Sequence, residues 1–290
     1  MALAGLSIIG ESINDSVPST NKLYETNDLD GIKSLARSQD ENGSVYIDVN
    51  VGSRSPEFMA DVVRLIQSVT AKPLSIDTPD PAIAEAGLRA YDPAKAAGEK
   101  PILNSISALR IEMLDLYRIC AFKPLIIISE RVEAGKSQPN RTARESYETA
   151  KQMLDMMVNS QWHIPRGDCI FDAAIAPIGT DLDGQTKKLI DTLRLMKEDH
   201  EFDECHRSVG LSNFTVMLPS KRADGSPVKG PLESAFLTRA MPLGLDMVIG
   251  SVVRRYEILP ENHPALQCFD DCCNREGYDI IMRVQEFYAS

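Results

Sequence analysis

Short apolar runs rich in β-branched residues recur along this chain, and nearly every one gives way to a polar side chain at its C-terminal end. They are LSIIG (6–10), VYIDVNV (45–51), PLSIDT (73–78), PILNSI (101–106), PLIIIS (124–129), CIFDAAI (169–175), SVGLSN (208–213) and MVIGSV (247–252). Most are close to continuous in apolar residues rather than alternating, which is how a parallel strand covered on both faces reads. Between them the period becomes helical: Phe58, Val62, Leu65, Ile66 and Val69 share a face, as do Ala150, Met153, Leu154, Met157 and Val158, and then Leu189, Leu193 and Met196. A last amphipathic run, about 266–288, predicts a closing helix. Eight strands alternating with eight helices predict βαβ units closed into a (β/α)8 TIM barrel, with residues 1–290 as one domain. No Gly-x-Gly-x-x-Gly turn follows the first strand, which disfavours the open doubly wound alternative.

In such a barrel the catalytic face lies at the carboxyl ends of the strands. Reading those ends alone gives Glu11 and Asn14, Asp48 and Asn50, Asp77, then Asn104, Ser105 and Ser107, Asp172, Asn213 and Ser251; the fifth strand contributes least. An Asp, Asn or Ser that begins a loop often only caps the next helix, and Asp48 and Ser107 fit that reading equally well. Asp77, Asp172 and Asn213 are different, because they interrupt or end strongly apolar strands, where an unpaired polar group costs roughly 1–3 kcal/mol.

The rim set is rich in carboxylates and amides and nearly free of Lys and Arg, unlike a phosphate-handling barrel. A flat heterocycle with several N–H donors along one edge, such as the 2-amino-4-oxopyrimidine edge of a pterin, would suit it. His163 and His206 precede the sixth and seventh strands and belong to the opposite face, while His200 and His263 fall in or beside helices. Cys268, Cys272 and Cys273 resemble a metal cluster only superficially, since they sit in one helix with no further soft ligand near in sequence. The chemistry is therefore expected to run without a bound metal, a thiol nucleophile or a His base, and, since no rim side chain has an ordinary pKa near neutrality, any proton is expected to come from water or through a carboxylate relay.

Composition narrows the setting. With 43% apolar and 25% charged residues the chain reads as globular, and its 290 residues suffice to bury a large core. A net charge of -11 argues against nucleic acid. No apolar run approaches the roughly 20 residues that span a bilayer, and the start, MALAGLSIIGESIN, becomes polar too soon for a signal peptide. Six scattered cysteines look like reduced thiols, so a cytoplasmic location is expected. Segments 131–140 and 219–231 are long enough to act as lids or docking surfaces.

Together the strand-end strings resemble the pterin-binding barrel family, which contains dihydropteroate synthase and the methyltetrahydrofolate-using corrinoid methyltransferases. The second group is the nearer match. IIGESIN (8–14) resembles its Ile-Gly-Glu-Arg-Ile-Asn, and IDVNVG (47–52) its Leu-Asp-Leu-Asn-Val-Gly. SIDT (75–78) and LNSIS (103–107) resemble its Leu-Asp-Ser/Thr and Ile-Asn-Ser, while FDAAI (171–175) and GLSNFT (210–215) resemble its Ile-Asp-Pro-Leu and Gly-Leu-Ser-Asn. The resemblance implies methyl transfer between N5 of tetrahydrofolate, or 5-methyltetrahydrofolate, and a corrinoid (cobalamin) carried by a partner protein. It further implies that Asp77, Asn104 and Asp172 hold the pterin edge, that Asn213 reaches N5, and that Glu11, Asn14, Asp48, Asn50 and Ser105 support them. A homodimer is implied too. The upstream methyl donor stays open between an aromatic methyl ether (O-demethylation), a methylamine-type compound and an acetyl-forming pathway.

The sequence departs from the family pattern at Ser12, where Arg is usual, at Ala173-Ala174 in place of Pro-Leu, and at Val216. Lys221, Arg222 and Lys229 could meet an anionic folate tail, though a solvated basic loop is the plainer reading. Two alternatives remain: a pteroate-forming synthase, against which stands SVVRRYEI (251–258) without an Arg-x-His pair, and a non-catalytic folate-binding or corrinoid-docking subunit.

Overall fold

Apolar runs of this kind form parallel strands only where helices cover one face and a packed interior covers the other. The computed structural model, which describes residues 3–159 and 161–289, builds that arrangement. Its strands are β1 (Ser7–Asn14), β2 (Tyr46–Asn50), β3 (Leu74–Asp77), β4 (Ile102–Ile106), β5 (Lys123–Ile127), β6 (Ile170–Asp172), β7 (His206–Ser208) and β8 (Met247–Gly250). All pairings among them are parallel, in the order β8-β1-β2-β3-β4-β5-β6-β7. The seam between β7 and β8 is drawn shut just past β7, where Gly210 bridges to Ile249 and the Ile249 N–H donates to the Val209 carbonyl at 3.0 Å. The fold is the (β/α)8 barrel that the periodicity predicts.

Side chains alternate across each strand. Ile8, Ile47, Ile76, Leu103, Ile126, Phe171 and Val248 point outward into the core beneath the helices. Their neighbours Ile9, Tyr46, Ile102, Leu125, Ile170 and Met247 form a separate apolar layer inside the barrel. Two residues further along β2, β4 and β6 stand Asp48, Asn104 and Asp172. The apolar layer is the floor and the polar residues are the next tier up.

The helices are α1 (Pro18–Glu25), α2 (Leu29–Glu41), α3 (Pro56–Ile66), α4 (Pro81–Ala90), α5 (Ala143–Asn159), α6 (Gln185–Glu198), α7 (Leu211–Phe214), α8 (Lys229–Ala240), α9 (Pro264–Cys273) and α10 (Tyr278–Ala289). Proline opens α1, α3, α4 and α9, where its missing N–H costs nothing, and Ser55, Asp80 and His263 cap the last three. None of the described helices is long and apolar enough to cross a membrane.

Four local expectations are corrected. The crossover from β4 to β5 is a 3₁₀ run (Ala108–Arg118) kinked at Arg110, not an α-helix. The closing helix is two helices, broken where Gly277 takes φ +57. β1 continues through Glu11 to Asn14, with a register shift against β2 between Gly10 and Ile13. β7 stops at Ser208, so Asn213 sits on α7 rather than on a strand.

Neither long segment hangs free. An antiparallel hairpin (Glu130–Glu133 with Lys136–Pro139) occupies the first. In the second, Ala223 donates to the Tyr288 carbonyl at 3.1 Å and Arg222 lies 4.8 Å from the Phe287 ring, which ties the loop to α10. Cys268 and Cys272 are buried against α10, facing the Arg283 and Ile280 carbonyls. His206 pairs with Asp246 at 2.6 Å at the amino ends of β7 and β8, on the face away from the site.

Candidate active site at the barrel mouth

Above the apolar floor opens a cavity of about 750 Å³ lined by Glu11, Asn14, Asp48, Asp77, Asn104, Asp172 and Asn213, together with hydroxyls from Ser12, Ser16, Ser19, Thr20, Ser129, Ser212 and Ser251. Seven of the nine residues singled out from the sequence therefore meet in one place. Asn50 stands just behind the wall, and Ser105 lies outside the lining, half-buried.

Their hydrogen bonds separate ligand-facing groups from supports. Asp48 is 1% exposed, and its Oδ1 accepts from Ser75 Oγ at 2.7 Å and from Asn104 Nδ2 at 3.3 Å. Asp48 is thus a buried support for Asn104 and not a helix cap. Because one N–H of the Asn104 amino group is engaged by Asp48, its carbonyl oxygen and second N–H are what remain for a ligand. Asn50 Nδ2 donates to Asp77 Oδ2 at 2.9 Å while Asn50 Oδ1 accepts from the Gly52 N–H at 2.8 Å. Asp77 Oδ1 stays open. Asp172 Oδ1 accepts from the Ala174 N–H at 2.7 Å as the chain turns through φ +58 at Ala174, leaving Oδ2.

Three acceptors on adjoining parts of the barrel, Asp77 Oδ1, Asn104 Oδ1 and Asp172 Oδ2, thus receive no N–H from any described residue, although Asp77 has the Asp48 carboxyl beside it as a hydrogen-bonding neighbour. Asn213 is exposed at the rim, and its side-chain amide likewise bonds to none of the described residues. Asn14 behaves otherwise: its Oδ1 accepts from both the N–H and the hydroxyl of Ser16, so it caps its own loop. Ser107 also caps, accepting from the Leu109 N–H.

Burial governs the electrostatics. Desolvation raises the carboxyls of Asp48 and Asp77; the neighbouring Asp77 charge raises Asp48 further, while hydrogen bonds from Ser75 and Asn104 to Asp48 and from Asn50 to Asp77 pull the other way. Glu11 is also raised by burial, with the Ser212 hydroxyl opposing. Asp172, 9% exposed and with only the Ala174 N–H in opposition, is pushed up to about 7. Burial thus brings one rim carboxyl toward neutrality, with no cation among the described lining residues to oppose the shift. The described lining holds no Lys, Arg or His, and Lys221, Arg222 and Lys229 are absent from it.

A tier of bare acceptors set over an apolar floor suits the donor edge of a flat bicycle. Over residues 13–250 the chain matches the family described as pterin binding enzyme. The chain belongs to that family. A methylcorrinoid:tetrahydrofolate methyltransferase from Eubacterium limosum is 26% identical over 251 residues, 83% of each chain. Among solved structures, the dihydropteroate synthase of Thermus thermophilus aligns with a TM-score of 0.55 over 88% of this chain and 90% of its own, at 16% identity. The Xanthomonas albilineans dihydropteroate synthase in complex with 7,8-dihydropteroate gives 0.53 at 15% identity, over 86% and 88%. At those identities the likeness speaks for the pterin-binding barrel as a fold.

Strand-end reading missed the hydroxyl wall from Ser12 to Thr20 and the serines at 129 and 212. Ser12 lies within β1, Ser19 and Thr20 on α1, and Ser212 on α7, so a reading that favoured carboxylates and amides at strand ends passed over them. It also missed Arg254, which pairs with the fully buried Glu233 close to Glu11.

Proposed function

We propose that this chain transfers a methyl group between N5 of a tetrahydrofolate and the cobalt of a corrinoid carried by a partner protein. The observation that carries the reading is the set of three open acceptors on Asp77, Asn104 and Asp172, with an unpaired amide on Asn213 above them. In the direction named for the Eubacterium relative, the N5 lone pair attacks the methyl carbon. The carbon–cobalt pair stays on the metal, giving Co(I), and N5 then releases its proton to solvent. In reverse, N5 is first protonated, the methyl carbon passes to Co(I), and the electron pair of the broken C–N bond returns to N5.

Each residue has a part in this. Asp172 and Asp77 accept the exocyclic amine and ring N–H groups, and Asn104 offers its carbonyl while Asp48 fixes the amide's orientation. Asn213 can donate to N5 or accept from N5–H by rotating its amide, so it meets charge on N5 as that charge develops. The open rim admits a macromolecule-borne corrinoid from above, which brings the reacting atoms together.

A pteroate-forming synthase would have to hold a pyrophosphate, and a lining without Lys or Arg offers it nothing. The deciding assay mixes the protein with methyltetrahydrofolate and cob(I)alamin, or with its native corrinoid protein, and follows loss of the Co(I) band against growth of methylcobalamin. Folate binding without conversion on either corrinoid would leave a docking subunit and sink the catalytic reading.

A further inference from the structure

Beneath α7 lies a charged cluster in which Glu11 and Ser212 reach the cavity lining while Glu233 and Arg254 stand behind it. Ser212 Oγ donates to Glu11 Oε2 at 2.8 Å, one residue before Asn213. Thr215 Oγ1 donates to Glu233 Oε1, two residues after it. Glu233 belongs to α8 and is 0% exposed, and its second oxygen is buried with no partner among the described residues. Arg254, just past β8, pairs with Glu233 Oε1 and also bears on Glu11, whose carboxyl it draws downward. Carboxylates from β1 and α8 thus hold the two flanks of α7, and the α8 carboxylate is paired with a guanidinium.

These bonds add to the fully buried Leu211 and Phe214 in fixing the helix. α7 is four residues long, a single turn with almost no hydrogen bonding of its own to fix its place. Its C-terminal side offers Phe214 to the core while Asn213 faces solvent. A buried carboxylate such as Glu233 is costly without its cation, and removing that cation disturbs the acceptor that Thr215 uses.

We propose that Arg254 is a positioning residue for Asn213: by holding Glu233 as the acceptor for Thr215, on the far side of α7 from the Ser212–Glu11 bond, it sets where the Asn213 amide stands over the cavity. This builds on the methyl-transfer reading, yet its structural half is independent of it. The arrangement also gives the arginine-bearing string after β8 a purpose beside a cavity that itself contains no cation. Arg254 acts from behind the wall and is absent from the lining.

Two measurements on the full chain test it, with Arg254→Met, Arg254→Lys and the milder Thr215→Val. In the resting protein, amide exchange over residues 211–216 should quicken about tenfold in Arg254→Met and Thr215→Val, while β2 and α9 keep wild-type rates and Arg254→Lys recovers most of the protection. In the methyltransfer assay, kcat should fall about tenfold or more with the folate Kd within about twofold, and Arg254→Lys should recover part of the rate. Unchanged exchange at 211–216, or acceleration spread evenly over the barrel, overturns the proposal. So does a wild type that turns over alongside an Arg254→Met of equal kcat, or one losing kcat and affinity alike. A wild type that never turns over removes the methyl-transfer reading instead, and the exchange result then decides the anchoring alone.

Discussion

Asn50 reaches across from β2 and commits its amino group to Asp77 Oδ2 at 2.9 Å, while the Gly52 N–H holds its own carbonyl at 2.8 Å. The amide cannot turn over without losing both bonds, so Asp77 always faces the cavity with the same free oxygen. The two residues end neighbouring strands 27 positions apart in sequence, and their contact divides a rim of similar-looking polar groups into those with an atom open to the cavity and those that orient them.

Replacing Asn50 tests that division. Its hydrogen bond pulls the Asp77 carboxyl down against desolvation, so Asn50→Ala should let Asp77 hold its proton to higher pH. Folate affinity should drop about tenfold, with the deficit widening as pH falls from about 8 to about 5. Calorimetric titration across that range reads it, and a pH-independent deficit would show that Asn50 acts only by packing.

Asp172 gives predictions of opposite sign. Its carboxyl, ordinarily near 3.8, is held at about 7 in the folded chain. Between those values the native state binds the extra proton, so the group's stabilising contribution is complete below the lower value and is lost as pH rises through about 7. Asp172→Asn keeps an oxygen for the Ala174 N–H and removes the buried charge. It should be more stable than wild type by roughly 2–4 kcal/mol at about pH 8 and little different at about pH 4. Yet it should lose folate affinity about 100-fold, since a carboxylate accepts paired N–H bonds and an amide cannot. In the wild type, affinity should climb as pH passes through about 7. Urea unfolding and folate titration on the same samples check both halves, and a variant that binds as well as wild type would remove Asp172 from the pterin edge.

Asn213 should divide binding from chemistry. Its side chain is exposed and bonds to none of the described residues, so Asn213→Ala should leave thermal stability nearly untouched. We expect turnover to fall about 100-fold and the folate Kd to change less than about threefold. Steady-state rates beside equilibrium titration supply the comparison; proportionate losses in both would make Asn213 a binding group only.

Gly52 tests the frame that supports the rim. It adopts φ +63, and a Cβ there would run into the Asp15 carboxylate, which also pairs with Arg54 and accepts from Asn21 at 2.8 Å. Arg54 in turn lies 4.9 Å from the Tyr24 ring. Gly52→Ala should cost about 2–3 kcal/mol through the strained backbone and the displaced ion pair. A thermal midpoint equal to wild type would mean that the β1 and β2 loops are not locked together as described.

How much of this was readable beforehand depended on how local each determinant is. Asp48, Asp77, Asn104 and Asp172 stand out in the string because an apolar strand tolerates a polar residue only where something compensates it, and strand ends gather on one face of a barrel whatever the details. The 3₁₀ crossover after β4 and the break before α10 were not readable, since short apolar spacing around Arg110 and Gly277 fits a continuous helix until packing forbids it. Roles within the rim were not readable either: Asn14 and Asn104 look alike in sequence, but Ser16 occupies one and Asp48 orients the other.

The alternation of apolar strands with amphipathic helices, by itself, determined a barrel and gathered its acidic and amide-bearing strand ends at one mouth, because burial demands depend only on residue type and period. Which of those groups face a ligand was decided by the tertiary structure alone. Ser212 lies 201 residues from the carboxylate it bonds, and Glu233 meets Arg254 across 21. Such contacts come into being only when the strands pair in register and β8 returns beside β1, and no local pattern in the chain encodes the distance between them.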